Sequence, residues 1–468
     1  MTLEVGLRWA VYACFGYLAV IYTSYFALAA VSLFEGVFRA RQRDAEDLAG
    51  AFDSHFTIPV SVLFAAYNEE VPIVNAVRSV LANQYPEFEV IVVSDGSTDR
   101  TLDVLREAFQ LEPRHIFYRK RFETEPVRGT YRSATDPRLI VVDKENGGKA
   151  DSLNCALNLA RYRYVLAIDA DTLLAPDALM AGMRLVLRDP GNVIGVTSIL
   201  GVAEKPEARI AEPRGARCVD RRTLLAFQQL DFERSYLTAR LGWSRFNFML
   251  CNAGAFAMWR RDVLEEVGGF STGFTCEDIE LTFRVHEHFR RLGKPYRILS
   301  LGETVGATEG PTGIRSLIRQ RERWQRVIME TVFAYRRMLG RPRYGTVGLI
   351  GLPFYVLSEI VAPFVEGLSL VVLVVAVATG LLDLRVFALT IVSLAVLNGI
   401  LANVAVLVDD YTNRLYRLRD LLRLCLLGPF ELFLYRPLVM LARARGVVGY
   451  LRGDQTWNKF ERNARTAT

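Results

Sequence analysis

Histidine and cysteine, which build most structural zinc sites, are scarce in this 468-residue sequence, with only four histidines and six cysteines. His286 and His288 are two residues apart, a spacing that does not place both on one helix face, so we expect both to be solvated. The cysteines contain no Cys-x-x-Cys pair and are Cys14, Cys155, Cys218, Cys251, Cys276 and Cys425. This pattern excludes a zinc site or a disulfide framework and predicts buried or free thiols in a reducing compartment.

The balance of apolar and charged residues fits neither a purely soluble enzyme nor a protein that lies wholly in a membrane. Hydrophobic residues make up 51% of the chain and the mean hydropathy is +0.18, yet 23% of the residues are charged. We therefore infer a soluble domain joined to membrane segments. The net charge is +6, and most of the excess positive charge flanks apolar stretches. It indicates contact with a membrane surface and argues against nucleic acid as a partner.

The first apolar stretch covers residues 9–34 and carries no charge. It is long enough to span a hydrocarbon core of about 30 Å. The beginning of the chain lacks the basic region of a cleaved signal peptide. Arg39, Arg41 and Arg43 follow the stretch, so the positive-inside rule places the next segment in the cytosol.

Further apolar stretches lie near the C-terminal end. Residues 346–382 are interrupted by prolines and glutamates, and we expect an interfacial helix that leads into a span. Residues 386–408 are a clean candidate span. Residues 421–441 contain charges and have arginines on both sides, which conflicts with one full crossing. A re-entrant or interfacial segment is expected there.

Between residues 58 and 171, short apolar runs alternate with helical patterns. Strands are predicted at residues 58–64, 89–93, 139–143 and 165–168, and helices at residues 71–82, 101–109 and 150–160. Strands that alternate with helices predict a parallel sheet with right-handed crossovers. The polar residues 113–138 and 201–217 are assigned to loops, and residues 223–241 to a helix.

Two carboxylates follow the apolar run 165–168, in the sequence Asp169-Ala170-Asp171. Side chains two residues apart on an extended chain point to the same side. The carboxyl ends of strands are where open α/β sheets bind ligands. The pair could therefore share one hard cation, which would in turn bind a diphosphate. The alternative is an Asx turn that closes the strand.

Polar residues also follow the other predicted strands. They are Tyr67-Asn68-Glu69, Asp95 and Gly147-Gly148-Lys149. Glycines before a helix, together with a lysine, suit a polyanion, although a glycine turn with a solvated lysine is an equal alternative. Because the carboxyl ends of parallel strands meet at one edge, these residues and the Asp169/Asp171 pair are expected to converge on one site.

Two later segments add acidic, basic and aromatic groups. Glu277 and Asp278 begin a predicted helix, where the helix dipole alone favours acids, so capping is an alternative to catalysis. Residues 315–337 are basic, aromatic and amphipathic and contain Gln320-Arg321-Glu322-Arg323-Trp324. The alternative for this stretch is an interfacial helix that lies on anionic lipid.

Taken together, these motifs resemble those of the processive family 2 glycosyltransferases of membranes, which include chitin, hyaluronan, cellulose and poly-N-acetylglucosamine synthases. The resemblance covers residues 58–337, and its motifs in chain order are Ala66-Tyr67-Asn68-Glu69, Asp95-Gly96-Ser97, Gly147-Gly148-Lys149, Asp169-Ala170-Asp171, Cys276-Glu277-Asp278 and Gln320-x-x-Arg323-Trp324. Two positions depart from the common pattern. Ser94 stands where many members have Asp, and Cys276 where many have Thr or another small residue.

The resemblance implies roles for individual residues. Binding of the nucleotide sugar is expected of Ala66, Tyr67, Asn68, Glu69, Asp95, Lys149, Asp169, Gln320 and Arg323. Asp169 and Asp171 would hold Mg²⁺ or Mn²⁺, Asp278 beside Glu277 would be the catalytic base, and Trp324 and Gly254 would contact the acceptor. The chemistry requires such groups independently, because inverting transfer needs a base for the acceptor hydroxyl and cations for the leaving diphosphate.

The resemblance also implies an architecture: an α/β domain of GT-A type, with a Rossmann-like, mostly parallel sheet, fused to helical membrane segments. We expect a transmembrane helix at residues 1–36, a cytosolic GT-A domain at 37–312, amphipathic interfacial helices at 313–343, transmembrane and interfacial helices at 344–442, and a basic tail at 443–468. The protein would be a multi-pass protein of the inner (plasma) membrane.

The expected function is metal-dependent, inverting transfer from a nucleotide-diphosphate sugar, by the resemblance a UDP-sugar, to a growing β-linked polysaccharide, coupled to export. The expected partners are this donor, the saccharide acceptor, the lipid bilayer and an accessory export subunit. One alternative is transfer of a single sugar to a lipid carrier, and another is a non-catalytic membrane subunit of a synthase. Membrane segments after the Gln320-x-x-Arg323-Trp324 motif favour polymer synthesis over the first. The intact carboxylates Asp169, Asp171 and Asp278 argue against the second.

Overall fold

The strands of one ten-stranded sheet lie between residues 60 and 309. The computed structural model describes residues 2–45, 57–204, 219–235, 240–413 and 416–453. The strands are β1 (Val60–Ala66), β2 (Phe88–Asp95), β3 (Leu111–Pro113), β4 (Val127–Ser133), β5 (Leu139–Lys144), β6 (Tyr164–Asp169), β7 (Leu173–Leu174), β8 (Val193–Ala203), β9 (Ala257–Arg260) and β10 (Arg297–Glu309). Their order across the sheet is β3-β4-β5-β2-β1-β6-β9-β8-β10-β7.

Four neighbouring strands, β5, β2, β1 and β6, run parallel. Their residues are almost entirely buried, as expected for strands covered by helices on both faces. Ala66 is paired with Ser94, Ser94 with Asp143, and Ala65 with Asp169. The carboxyl ends of the four strands therefore align at one edge, which confirms the parallel arrangement predicted for the strands that carry the motifs.

Outside these four strands the sheet is mixed, since β8 and β10 are parallel and the other pairs are antiparallel. The assignment of residues 113–138 to a loop is wrong in part, because β4 (Val127–Ser133) pairs antiparallel with β5. Most residues of β4 are exposed or half-buried, so backbone pairing at the sheet edge forms the strand without an apolar pattern. β8 extends to Ala203, into the predicted loop 201–217, of which residues 205–218 lie outside the described residues.

Helices cover both faces of the sheet and continue into the C-terminal part. In the described residues they are α1 (Thr2–Ala45), α2 (Ile73–Leu81), α3 (Thr101–Phe109), α4 (Lys149–Leu159), α5 (Ala178–Arg188), α6 (Thr223–Glu233), α7 (Leu241–Arg245), α8 (Arg261–Val267), α9 (Glu277–Leu292), α10 (Ile314–Ala334), α11 (Leu352–Tyr355), α12 (Ala362–Ala378), α13 (Leu384–Asn413), α14 (Leu418–Leu427), α15 (Glu431–Leu434) and α16 (Arg436–Leu451). α6 confirms the first half of the helix predicted over residues 223–241, of which residues 236–239 lie outside the described residues.

His286 contradicts the expectation that both histidines are solvated. It is fully buried in α9, with Nδ1 2.7 Å from the Tyr296 hydroxyl and Nε2 2.7 Å from the Met249 carbonyl oxygen. Burial lowers its pKa to about 4. His288 is half-buried, and its Nε2 lies 2.9 Å from the Glu266 carboxylate. The spacing of two residues correctly places the side chains on different faces of α9, but it does not indicate which face is buried in the core.

Three helical segments among the described residues are long and apolar enough to cross a membrane: Glu4–Arg43, Val347–Ala378 and Leu384–Tyr411. The first and third agree with the spans predicted at residues 9–34 and 386–408. The second contains π-helical turns at Val347–Gly351 and Val356–Val361. Its first part was expected to be an interfacial helix, and that stays a prediction.

A fourth apolar segment is bent. Leu418–Leu434 and Arg436–Leu451 meet at an angle of 48°, as in a broken span or a re-entrant loop. The predicted re-entrant or interfacial segment at residues 421–441 therefore stays a prediction.

The amphipathic helix α10 packs against α16 of the bent segment, where Gly446 permits a close approach. A Cβ atom at Gly446 would lie 2.6 Å from Cβ of Gln325 and 2.6 Å from the carbonyl oxygen of Glu322, both in α10. Only glycine fits at this distance. The packing joins the sheet domain to the apolar helices.

Candidate functional site

One cavity of about 1060 Å³ extends from the carboxyl edge of the parallel strands, past α9 and α10, to the apolar helices. Nearly all residues that the sequence analysis selected line it. They are Ala66, Tyr67, Glu69, Asp95, Lys149, Asp169, Asp171, Gly254, Glu277, Asp278, Gln320, Arg323 and Trp324. Segments up to 258 residues apart in the chain thus meet at one place, as the convergence argument predicted.

Asn68 does not line this cavity. Its backbone has a φ of 53°, and its side-chain oxygen accepts hydrogen bonds from the backbone N–H of Thr98 at 2.8 Å and of Asp99 at 3.3 Å. Asn68 therefore holds the loop after β2 against the loop after β1. A role in donor binding would act through this loop arrangement.

Asp95 is buried, and protein groups surround its carboxylate. It accepts hydrogen bonds from Lys144 Nζ at 2.6 Å and from the backbone N–H groups of Gly147 at 3.0 Å and Gly148 at 2.8 Å. Lys144 also pairs with Asp151 at 2.6 Å. Burial lowers the pKa of Lys144, but the hydrogen bonds to Asp151 and Asp95 outweigh burial and raise it. Asp95 thus fixes the glycine turn that precedes α4.

Lys144 and Asp151 belong to this cluster although neither is predicted from the sequence as a site residue. Lys144 is fully buried even though it directly follows a predicted strand, where a lysine is normally solvated. In the structure Lys144 is the last residue of β5 and pairs with Asp95, the last residue of β2. The register of these strands is seen only in the structure.

Asp169 and Asp171 lie at the end of β6 and face the cavity. The turn after the strand is closed by the backbone, since the N–H of Thr172 donates to the carbonyl oxygen of Asp169 at 3.1 Å. A backbone hydrogen bond thus holds this turn, and an Asx turn at Asp169 stays an alternative. The pKa of Asp171 is raised to about 7 by burial and by the negative charges of Asp169 and Glu309. The crowding of carboxylates makes this a place where a cation would be stabilised.

The donor set fits Mg²⁺ or Mn²⁺. Mg²⁺ is commonly held by one or two carboxylates, with substrate phosphates and water as the other ligands. Across the part of the chain that the structure describes, no group of three histidine, cysteine, aspartate or glutamate side chains could hold a metal ion. Asp169 and Asp171 would therefore need oxygen ligands from a bound diphosphate.

Lys149 joins this carboxylate pair to the start of α9. Its Nζ lies 2.7 Å from Asp169 Oδ1 and 2.8 Å from Glu277 Oε1. Burial lowers its pKa, but Asp169, Glu277 and Asp278 outweigh burial and raise it well above the usual value. Lys149 is therefore a fixed cation of the site, contrary to the solvated-lysine alternative. Burial raises the pKa of Glu277, although Lys149 opposes that shift.

Asp278 is oriented by hydrogen bonds to both carboxylate oxygens. Oδ2 accepts from the backbone N–H of Gly254 at 2.7 Å, and Oδ1 accepts from the Cys276 thiol at 2.9 Å and the Ile279 N–H at 2.6 Å. The Ile279 contact resembles helix capping, but the Gly254 contact comes from a different segment. A Cβ atom at Gly254 would lie 3.1 Å from Asp278 Oδ2 and 3.1 Å from Lys149 Nζ, so this position favours glycine.

Gln320, Arg323 and Trp324 lie on α10 and line the cavity opposite the sheet. The ring of Trp324 is 6.1 Å from the ring of Phe232 between centroids. Trp324 thus lines the same cavity as the carboxylates, and the interfacial helix on lipid stays a competing prediction.

The cavity continues between the apolar helices, where its lining includes ion pairs. Arg443 lies 2.9 Å from Glu359, and Arg436 lies 3.4 Å from Glu366. Charged residues in membrane segments are expensive and commonly mark a pathway for a polar substrate. In the sequence alone, Glu359, Glu366 and Arg436 interrupt apolar runs and Arg443 flanks one.

Residues 61–268 match the family model described as Glycosyl transferase family 2. The chain carries a family 2 glycosyltransferase domain. This domain reaches from β1 to the end of α8, so it includes the Asp169/Asp171 pair, while Asp278 and α10 follow it. The resemblance stated from the motifs is confirmed.

Two curated relatives match the chain over a longer stretch than the family model does. Both are described as poly-beta-1,6-N-acetyl-D-glucosamine synthase, one from Staphylococcus epidermidis and one from Staphylococcus aureus (strain COL). Each is 27% identical over 277 residues, which cover 57% of this chain and 53% of the relative. The chain therefore spans about half the length of the curated relatives that it matches.

A solved structure covers a larger share of the chain. It is the mannosyltransferase PcManGT from Pyrobaculum calidifontis in complex with GDP-Man and Mn²⁺, which covers 93% of this chain and 99% of its own at 19% identity and a TM-score of 0.54. It confirms the predicted fold class, a GT-A-type domain fused to apolar helices.

Proposed function

We propose that this protein transfers sugar units, with inversion, from a nucleotide-diphosphate sugar to a growing β-linked polysaccharide and passes the product into the membrane. The observation that carries this proposal is the continuity of the cavity. It joins the carboxylate pair, Asp278 and Trp324 to the ion pairs between the apolar helices. A cavity for transfer of one sugar to a small acceptor would not need to continue between the apolar helices.

The residues present would act as follows. Asp278 takes the proton of the acceptor hydroxyl as this oxygen attacks the anomeric carbon of the donor. The transition state is oxocarbenium-like, and negative charge builds on the departing diphosphate. Arg323 can contact the phosphate oxygens in a bidentate manner, and Lys149 adds a second positive charge. Trp324 offers a ring for the apolar face of the acceptor sugar.

Metal dependence is part of the proposal. Asp169 and Asp171 would hold Mg²⁺ or Mn²⁺, which would offset the charge of the leaving diphosphate when bound. The crowded carboxylates and the raised pKa of Asp171 support this assignment. The Mn²⁺ in the similar mannosyltransferase supports it as well.

The relatives suggest which sugar to test first. Their description names poly-β-1,6-N-acetyl-D-glucosamine, so we propose UDP-N-acetylglucosamine as the first candidate donor. The GDP-Man of the similar mannosyltransferase makes GDP-mannose the competing candidate. The motif resemblance favours a uridine nucleotide.

We further propose that this is a multi-pass protein of the inner membrane and that its catalytic domain lies in the cytosol, since arginines follow the first apolar helix. Export would use the cavity between the apolar helices, and an accessory export subunit stays a prediction. The competing functions are transfer of one sugar to a lipid carrier and a non-catalytic subunit.

The test is incubation of the purified protein with Mg²⁺ or Mn²⁺ and a panel of nucleotide sugars. Nucleotide release and product length are measured. Polymer from one donor supports the proposal. A lipid with a single sugar favours the carrier alternative, and no release from any donor favours the non-catalytic one.

A further inference from the structure

Arg321 is the first unassigned position in Gln320-x-x-Arg323-Trp324, and the resemblance gives it no role. It is only 6% exposed, and it lines the cavity. Its guanidinium carbon lies 4.2 Å from the centroid of the Trp324 ring and 5.6 Å from that of Phe232. Both distances are within the range of cation–π contacts, which are strongest when the cation is desolvated.

Two polar groups hold the Arg321 guanidinium against these rings. Its Nη2 lies 3.0 Å from Asp231 Oδ2, in α6, and donates to the Tyr435 hydroxyl at 2.9 Å. The Tyr435 hydroxyl in turn donates to Asp231 Oδ2 at 3.2 Å. Tyr435 is the residue between α15 and α16, where the apolar segment bends by 48°. One buried cation therefore connects α6, α10 and the bend.

We propose that Arg321 is a positioning residue that sets the orientation of the Trp324 ring for the acceptor and couples it to the bend at Tyr435. A cation over one face restrains the indole, and an acceptor sugar would stack on the opposite face. The proposal rests on the proposed function only in assigning Trp324 to the acceptor. A purely structural role for Arg321, as the charge partner of Asp231, is the competing explanation.

The first test reads the orientation of Trp324 without any enzyme assay. The full-length protein is labelled with 5-fluorotryptophan, and among its five tryptophans the ¹⁹F signal of Trp324 is identified by its loss in Trp324→Phe. Arg321→Met, which keeps volume and removes charge, should shift and broaden this signal while the others stay unchanged. Arg319→Met, at an exposed position of α10, is the matched control and should change nothing. An unchanged Trp324 signal in Arg321→Met overturns the proposal.

Tyr435→Phe covers the case in which Arg321→Met does not fold. It removes one hydroxyl from the network and should shift the same signal by a smaller amount. No shift in this variant would overturn the coupling to the bend.

The second test is kinetic and uses the polymerising donor with a soluble oligosaccharide acceptor. Arg321→Met should raise the acceptor KM by roughly 5- to 30-fold, with the donor KM little changed. Arg321→Lys, which keeps the charge, should recover part of the loss. A merely structural role predicts instead that the apparent kcat falls with the folded fraction, while the KM values for donor and acceptor both stay unchanged. If the wild-type protein transfers no sugar at all, the proposed function fails, and the fluorine signal still decides the positioning role.

Discussion

Asp278 lines the cavity. Its carboxylate has a fixed orientation, because Gly254, Cys276 and Ile279 all donate hydrogen bonds to it. An ionised carboxylate has about four lone-pair positions, so capacity remains for a substrate proton. The thiol of Cys276 donates where a threonine hydroxyl would in the common motif. Cys276 therefore still orients Asp278, the proposed base, despite its departure from the common motif.

For Asp278→Asn, we predict a fall in kcat of roughly 10²–10⁴-fold with little change in donor affinity, because a base acts only in the transition state. The measurement is turnover per folded molecule, with donor binding measured separately. Asp103→Asn, an exposed acid in the first turn of α3, is the control for capping. The capping alternative predicts normal turnover and a loss of about 1 kcal/mol or less in stability.

For Asp171→Asn, we predict a folded protein without turnover, because one of two cation ligands loses its charge. Calorimetry should show Mn²⁺ binding to the wild-type protein in the presence of nucleotide diphosphate, and weaker binding to the variant. Wild-type activity should disappear in excess chelator and return with Mg²⁺ or Mn²⁺. Full activity of the wild-type protein in chelator would contradict the metal assignment.

For Lys144→Met, we predict a loss of roughly 3–5 kcal/mol in stability, since Asp95 and Asp151 would be left buried without their cation. Arg106→Met, at an exposed position of α3, is the control, and thermal unfolding is the measurement. Equal stability of both variants would show that the Asp95 cluster does not hold the glycine turn.

At the scale of elements, the strands with apolar runs and the helices between them could be predicted, because burial on both faces leaves a direct pattern in the sequence. β4 could not, since its polar residues pair through the backbone at the sheet edge. The sequence also did not indicate which face of α9 is buried in the core. His286 and Asp278 both look polar in the sequence, but one is in the core and the other at the cavity.

The pH dependence of stability should report on His286 in α9. Its folded pKa of about 4 lies below the unfolded value of about 6.5, so the unfolded state binds a proton first as the pH falls. Stability is therefore complete above pH 6.5 and is lost towards pH 4, by up to roughly 3 kcal/mol. Thermal unfolding against pH should be flatter in His286→Gln than in the wild type. His288→Gln is the control, and equal slopes in all three proteins would contradict the assignment.

Because α10 packs closely on α16 at Gly446, one methyl group added at this position should destabilise the protein. Gly446→Ala should push the helices apart and destabilise the protein by about 1–3 kcal/mol, with shorter products, because α10 carries Trp324. Gly449→Ala, three residues further on, would meet the flexible side chains of Arg326, at 3.3 Å, and Glu322, at 4.0 Å, and should be nearly neutral. The comparison uses thermal unfolding and product length, and equal effects would argue against this contact.

At the scale of the whole molecule, the sequence indicated a cytosolic domain with membrane helices, because charge and hydropathy separate along the chain. It could not indicate that the apolar helices complete the cavity. The ion pairs Glu359–Arg443 and Glu366–Arg436 join residues more than 65 positions apart, and each charge alone is only an interruption or a flank of an apolar run.

We propose that one protein both transfers sugar at Asp278 and passes the polymer between its apolar helices. The most direct measurement uses sealed vesicles that contain wild-type protein or Asp278→Asn, with the catalytic domain outside. UDP-N-acetylglucosamine, or the donor identified by the panel, is added outside with Mg²⁺ or Mn²⁺, and polymer protected from added glycosidase is measured. We expect protected polymer with the wild-type protein and none with Asp278→Asn, although the variant still binds donor. Polymer that remains wholly accessible outside, or equal polymer from both proteins, would contradict it.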